Sequence, residues 1–466
     1  MKNIIKATLL MAVMLICTVL ASSCSEEPPP PDAGGKEITP SPSAELTYEL
    51  IANGTEYEVT GIKAEDTRTF VEIPSEYNGL PVTSIANKAF AGTSITEVKI
   101  GARVEKIGTM AFDGCASLTK VTFGESLDKI GNYSFRNCTA LTSPEFNSRL
   151  TYISSYAFMG CTAIENVVIP DNVTYMGVGA FSGCTSVNAV SVGSGLSKIP
   201  DEAFYNCQRL KFATFSETLT DIGNKAFENC RLLGITKLDL PNSLRTVGDT
   251  AFKNCVSLSE LTLGNSLIEI GKEAFMGCTS LYRIKGMIVG VSDRSFSDCT
   301  RLTNITVGTR KVNKKTYGLE IGREAFMGCT ALSLVKIEEG VTQIGYASFM
   351  NCTSLESVII PKSIFMMGQG AWQGCRALSA VYYMGTPEQF LEININSTGA
   401  DYFWNDYSQP ITGAPRYYYS EQSIRGGDTP WLYNHTTGKY TWEFGWEDAA
   451  PRYWRFNSKG KPVLWG

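Results

Sequence analysis

Residues Ile107-Gly108-Thr109-Met110-Ala111-Phe112-Asp113-Gly114-Cys115-Ala116-Ser117-Leu118-Thr119-Lys120-Val121-Thr122-Phe123-Gly124 decide the fold, because their pattern returns along most of the chain. An aromatic residue recurs at Phe90, Phe112, Phe135, Phe158, Phe181, Phe204, Phe227, Phe252, Phe275, Phe296, Phe326, Phe349 and Trp372. Eight of the twelve steps are 23 residues, and the others are 22, 25, 21 and 30. In every copy but the first a cysteine follows three places later, from Cys115 to Cys375, so twelve of the 14 cysteines belong to the repeat. A fixed period of this length marks a solenoid, in which each copy is one coil stacked on the last.

Within the copy, Leu118, Val121 and Phe123 have the L-x-x-L-x-L spacing of a short strand that alternates inward and outward. The preceding Ala-Phe-x-Gly/Asn-Cys segment suits a short helical turn on the opposite side. The expected fold class is an α/β solenoid, a leucine-rich repeat with a stacked parallel β-sheet. About 13 coils at a strand spacing of about 4.8 Å would extend roughly 60 Å and need capping at both ends. Equal spacing also places the twelve repeat cysteines at one position of successive coils, where parallel side chains neither form disulfide geometry nor converge on a metal, so free, inert thiols are expected.

The pattern resembles the repeats of the BspA-like family of bacterial surface proteins, whose coils follow I-G-x-x-A-F-x-x-C-x-x-L-x-x-V-x-I-P. Residues 344–361 match it nearly throughout, and the resemblance covers about residues 44–466. The strand-like runs 46–50, 57–62 and 71–74 resemble the family's N-terminal cap, and 381–390, 416–421, 453–456 and 462–465 resemble its C-terminal end. The resemblance implies a recognition protein that adheres to host matrix proteins or other cells, with a protein or glycoprotein as partner.

Lys2 and Lys6 precede an apolar run from Ala7 to Leu20, too short to span a bilayer but long enough for a signal-peptide core. The run ends in Leu20-Ala21-Ser22-Ser23-Cys24, which resembles the lipobox of bacterial lipoproteins, although Ala21 stands where a larger aliphatic residue is usual. This resemblance implies cleavage before Cys24 and membrane attachment through a lipid on it. Pro28 to Pro31, Pro40 and Pro42 then make an extended spacer. Glu26-Glu27 resembles the signal that carries some lipoproteins to the outer face of the outer membrane. The expected layout is a lipoprotein signal peptide over 1–23, a Pro-rich linker over 24–43, and an N-terminal β cap over 44–83. The solenoid follows over 84–385, then an aromatic-rich C-terminal cap over 386–466.

Composition removes several classes of function. Of 466 residues 43% are hydrophobic and 19% charged, and 41 Lys and Arg against 46 Asp and Glu give a net charge of -5 without a basic footprint for nucleic acid. The single histidine, His435, leaves no His pair for zinc and no second imidazole for a proton relay. No Gly-x-Ser-x-Gly elbow or phosphate loop occurs, so no enzyme, cofactor or metal is expected.

Recognition is expected on the outward positions of the strands, which run from Glu97 and Lys99 to Ile359, Ala380 and Tyr382. Among these Phe212, Arg283 and Lys285 are the candidate anchors, because arginine and aromatic side chains dominate interfaces. The 30-residue step accommodates an insertion expected as a projecting basic loop that carries Arg310, Lys311, Lys314 and Lys315. The alternatives are a glycan-binding accessory lipoprotein, whose aromatic tail offers Trp404, Trp431, Trp442 and Trp446 as flat faces for stacking on polysaccharide rings, and a structural protein of the cell envelope.

Overall fold

The computed structural model describes residues 43–396 and the short strands Arg416–Tyr419, Tyr433–Asn434, Lys439–Tyr440, Arg452–Phe456 and Pro462–Leu464. Within it the repeats form a parallel β-solenoid. Each strand of the Leu-x-x-Val pattern pairs in register with its copy one coil away, Val98 with Val121, Val167 with Val190 and Val335 with Val358. These strands alternate as the sequence pattern predicts: in Asn166–Ile169, Val167 and Ile169 are buried while Asn166 and Val168 are exposed.

A second parallel ladder, absent from the reading of the sequence, is built from two-residue strands such as Lys106–Ile107, Lys129–Ile130 and Tyr152–Ile153. Ile107 pairs with Ile130 and Ile130 with Ile153, so the apolar residue five places before each aromatic, Ile in most copies and Met or Val in the others, is the inward residue of this ladder. Two residues are too few to show a period of two, which is why alternation could not reveal it.

The Ala-Phe-x-Gly/Asn-Cys segment is a pair of tight turns and not the helical turn expected. Two left-handed residues flank every aromatic: the one two places before it, such as Tyr133 (φ 56°) or Thr250 (φ 53°), and the one two places after it, such as Gly114 or Asn229 (φ 63°). A right-handed helix cannot pass through such residues. At the second site only Gly, Asn and Asp occur, the residues that tolerate this region at least cost. The turns are laddered as well, with Phe112 N–H donating to Ser134 O and Gly114 N–H to Arg136 O. Backbone groups are therefore satisfied from coil to coil on all sides.

The aromatics stack through the interior, with ring centroids 5.0 Å apart at Phe90–Phe112 and 5.2 Å at Phe227–Phe252, and the stack ends on Trp372. All twelve repeat cysteines are buried and free, in agreement with the thiol ladder expected. At the front, Leu46–Ile51 pairs antiparallel with Glu56–Ile62, which passes in parallel to Leu80–Ile85 and the second ladder. Phe70–Ile73 is already a rung of the first ladder, paired with Glu97–Ile100. At the back the first ladder continues from Ala380–Tyr383 through Arg416–Tyr419 to Arg452–Phe456, and Pro462–Leu464 closes it in antiparallel fashion. Among the described residues no helix is long and apolar enough to cross a membrane.

Candidate ligand-binding surface

The outward face of the first ladder carries charged side chains that largely neutralise one another within and between rungs. Lys99 meets Glu72 at 2.7 Å, Lys120 meets Glu97 at 3.0 Å, Lys237 meets Asp239 at 2.6 Å and Lys285 meets Glu260 at 2.7 Å. Exposed pairs of this kind contribute little stability, about 0–1 kcal/mol each, but they leave few charges free on the face. Hydrogen bonds from Lys285 and then from the Tyr282 hydroxyl hold the Glu260 carboxyl below the usual range.

Between these charged stretches lies an uncharged one. The strands Asn166–Ile169, Ala189–Val192 and Phe212–Thr214 pair in register and present Asn166, Val168, Ala189, Ser191, Phe212 and Thr214 outward. Val168 is 63% exposed and Phe212 47% exposed. Residues 150–197 contain only two charged side chains, Glu165 and Asp171. Val168 is thus set in a nearly neutral field, and Phe212 stands at its charged border beside Arg209 and Lys211.

Phe212 and Arg283 lie on the outward face and are exposed, as expected. Lys285 is on that face too, but its ammonium is engaged by Glu260. Two outward assignments are corrected: Ile359 and Ala380 are buried, at 2% and 9% exposure, in a small apolar cluster with Leu334, Tyr382 and Met384. Their apolar character on the solvent side of the strand is the signal that this end of the face is covered.

The insertion is not an open loop. Arg310–Val312 and Lys315–Tyr317 form an antiparallel hairpin, with Asn313 and Lys314 left-handed at its turn. This is the two-residue connection that right-twisted strands favour. Arg310 does not project: its guanidinium donates to the carbonyl of Leu267, and burial lowers its pKa. Lys311, Lys314 and Lys315 are exposed, with the Lys315 ammonium 4.9 Å from the Tyr317 ring centroid. Cys24, Trp404, Trp431, Trp442 and Trp446 lie outside the described residues.

One surface feature escaped the sequence reading. Tyr152 and Tyr175 stack at 4.1 Å on the second ladder, and Tyr133 and Tyr156 stack at 5.2 Å beside the turns, with the Arg136 guanidinium 5.0 Å from the Tyr133 centroid. Tyrosine at the same offset in neighbouring copies was the available signal. Among the described residues no group of three His, Cys, Asp or Glu side chains could hold a metal ion.

A search of curated proteins finds no match. Among solved structures, a leucine-rich repeat protein from Bacteroides ovatus is 27% identical, covers 78% of this chain and 99% of its own, and superposes with a TM-score of 0.55. A leucine rich cell surface protein from Faecalibacterium prausnitzii is 25% identical over 77% of this chain and 99% of its own, with a TM-score of 0.41. The BspA type leucine rich repeat region matches residues 83–211, 197–318 and 311–398, more than half of the sequence. Repeat period, coil geometry and this match agree, and the chain belongs to the BspA type leucine-rich repeat family.

Proposed function

We propose that this protein is a lipid-anchored recognition protein displayed at the cell surface, an adhesin that binds a protein or glycoprotein through the outward face of its first ladder. Solenoids of this kind are scaffolds for binding, and the family to which the chain belongs is one of them. The observation that carries the reading is the nearly neutral stretch around Val168, an apolar centre with Phe212 at its charged rim. Protein interfaces have this anatomy, with charge depleted at the core and retained at the border. Arg283 and Lys285 belong to that rim. Cys24 would carry the lipid, and residues 25–42 would hold the solenoid away from the membrane.

Binding of the purified full-length protein to a panel of matrix glycoproteins tests the reading, with a Val168→Ser/Phe212→Ser variant alongside. Removing the apolar centre should weaken a bound partner by about tenfold or more, as for an interface anchor worth over 1.4 kcal/mol. A partner held equally well by the variant would place recognition elsewhere. Protease treatment of intact cells tests display: the solenoid should be cut before the outer membrane is opened. Cys24→Ala should release the protein from the membrane fraction.

A further inference from the structure

We infer that the corner at which the chain enters the first ladder between Phe204 and Thr303 is a binding site for a linear polyanion, a sulfated polysaccharide. Arg209, Lys211, Arg231, Arg283 and Arg301 all occupy this corner, four to eight residues after the aromatics of their coils. The four arginines are exposed and Lys211 is partly so. Among the described residues none of the five forms an ion pair within 4.0 Å or a side-chain hydrogen bond, whereas the lysines of the adjoining strands do. In a chain of net charge -5 such a row of uncommitted cations is unexpected by composition.

Its surroundings reinforce it. The two carboxylates on the adjoining strands, Asp239 and Glu260, are held by Lys237 and Lys285. On the turn side Glu228 and Asp298 accept hydroxyl hydrogen bonds and keep their charge. Among the described residues none of the five cations has a carboxylate within 4.0 Å, so their potentials add toward solvent. From Arg209 to Arg301 the row climbs four rungs, roughly 20 Å at about 4.8 Å per rung.

The backbone here decides which polyanion fits. Lys211 N–H donates to Asn188 O, Ser259 N–H to Gly234 O, Tyr282 N–H to Ser259 O and Thr303 N–H to Tyr282 O. These four amide groups are committed to the neighbouring coil, so the cationic side chains carry recognition at this corner. Guanidinium groups spread over several coils match a ligand whose oxyanions repeat along a chain, and guanidinium suits such oxyanions through paired hydrogen bonds. Ser257 and Ser280 lie between the cations in sequence and can bond sugar hydroxyls, whereas Ser259 and Thr303 donate to backbone carbonyls.

This site goes beyond the proposed protein-binding face, sharing only the border residue Arg283, and it stands or falls separately. The test is heparin binding by the purified full-length protein. The variants are Arg209→Ser/Arg231→Ser/Arg301→Ser and, as a control of equal charge, Lys106→Ser/Lys129→Ser/Lys198→Ser on the second ladder. Wild type should bind at about 0.15 M salt and weaken as salt rises, because bound polyanions release counterions. The arginine variant should bind about tenfold or more weakly, each lost contact removing part of that electrostatic affinity, while the lysine control stays within about twofold. Fully desulfated heparin should bind about as weakly as the arginine variant binds heparin. Failure of wild type to bind heparin, equal binding by the arginine variant, or an equal loss in the lysine control would overturn the site. Polyglutamate bound as tightly as heparin would overturn the polysaccharide assignment in favour of an acidic polypeptide. Val168→Ser/Phe212→Ser should keep heparin binding whatever its effect on a protein partner.

Discussion

The thiol of Cys138 donates to the carbonyl oxygen of Phe112 one coil earlier, with Sγ 3.1 Å from the oxygen. The same bond recurs at Cys115, Cys161, Cys184, Cys207, Cys230, Cys255, Cys278, Cys299, Cys329, Cys352 and Cys375. Cysteine here is a small apolar side chain that also satisfies a buried carbonyl of its neighbour, two requirements that alanine and valine cannot meet together.

Burial pushes the thiols of Cys184, Cys207, Cys255 and Cys278 up, Cys278 to about 12. The folded chain keeps them protonated where the unfolded chain would release the proton near pH 8.5. Their contribution is complete below about pH 8.5 and is lost as pH rises from there towards the folded value of Cys278. Urea midpoints should therefore hold steady from about pH 7 to 8 and fall steeply above about 8.5. Cys207→Ala should cost about 1–2 kcal/mol at neutral pH, for a lost hydrogen bond and lost burial, and should flatten the alkaline fall. Labelling with a thiol reagent should reach the twelve repeat cysteines only after unfolding.

The left-handed turn residues make a second prediction with opposite signs at two sites. Thr250 is β-branched at φ 53°, a strained combination, and relief of about 1–3 kcal/mol of strain outweighs the lost hydrogen bond to Glu228, so Thr250→Gly should raise stability by about 0.5 kcal/mol. Asn229 sits at φ 63°, which asparagine tolerates and alanine does not, so Asn229→Ala should lower it by about 1 kcal/mol. Denaturant midpoints at a fixed slope would read both, and two changes of the same sign would refute the turn geometry.

Phe112, Cys115, Leu118 and Val121 show why so much of this fold was legible. Their spacing specifies an inward edge, and repetition at 23 residues leaves stacking as the way to bury it. What escaped had physical reasons of its own. The second ladder uses one inward residue per coil and carries no alternation. The turns depend on φ at positions held by Lys, Met, Tyr or Glu as often as by Gly, so composition does not mark them. On the surface, Phe212 could be placed because strand alternation sets its face. The engagement of Lys285 by Glu260 and the inward fold of Arg310 could not, since both depend on residues of another coil.

Arg310 and Lys311 are neighbours with different duties, and substitution should separate them. The Arg310 guanidinium ties the hairpin to Leu267, while Lys311 is exposed on the other side of the strand. Arg310→Ala should cost about 1–2 kcal/mol and speed hydrogen exchange within the hairpin, because a bond from a charged donor to a carbonyl is lost. Lys311→Ala should stay within about 0.5 kcal/mol, as for an ordinary surface change. If Arg310→Ala were silent in hydrogen exchange, the anchoring contact would not exist in solution.

Phe227 lies between Phe204 at 5.3 Å and Phe252 at 5.2 Å, with Phe215 edge-on at 5.9 Å. Each coil is stabilised by its own burial and by its two neighbours, so a lesion here weakens two interfaces near the middle of the stack. Phe227→Ala should cost about 3–5 kcal/mol. It should also divide the unfolding, since the coils on either side keep their own contacts while the link between them is weakened. The chain carries its own reporter for this: all seven tryptophans fall at or after position 372, so fluorescence follows the C-terminal side, whereas circular dichroism follows every coil. In the wild type the two signals should share one urea transition. In Phe227→Ala they should separate, with the circular dichroism change extending beyond the fluorescence change on one side or the other. Phe90→Ala, at the front of the stack with Phe112 as its one partner, should fray the end and leave the main transition single. Coincident signals in Phe227→Ala would mean that coupling reaches beyond nearest neighbours and that the solenoid unfolds as one unit.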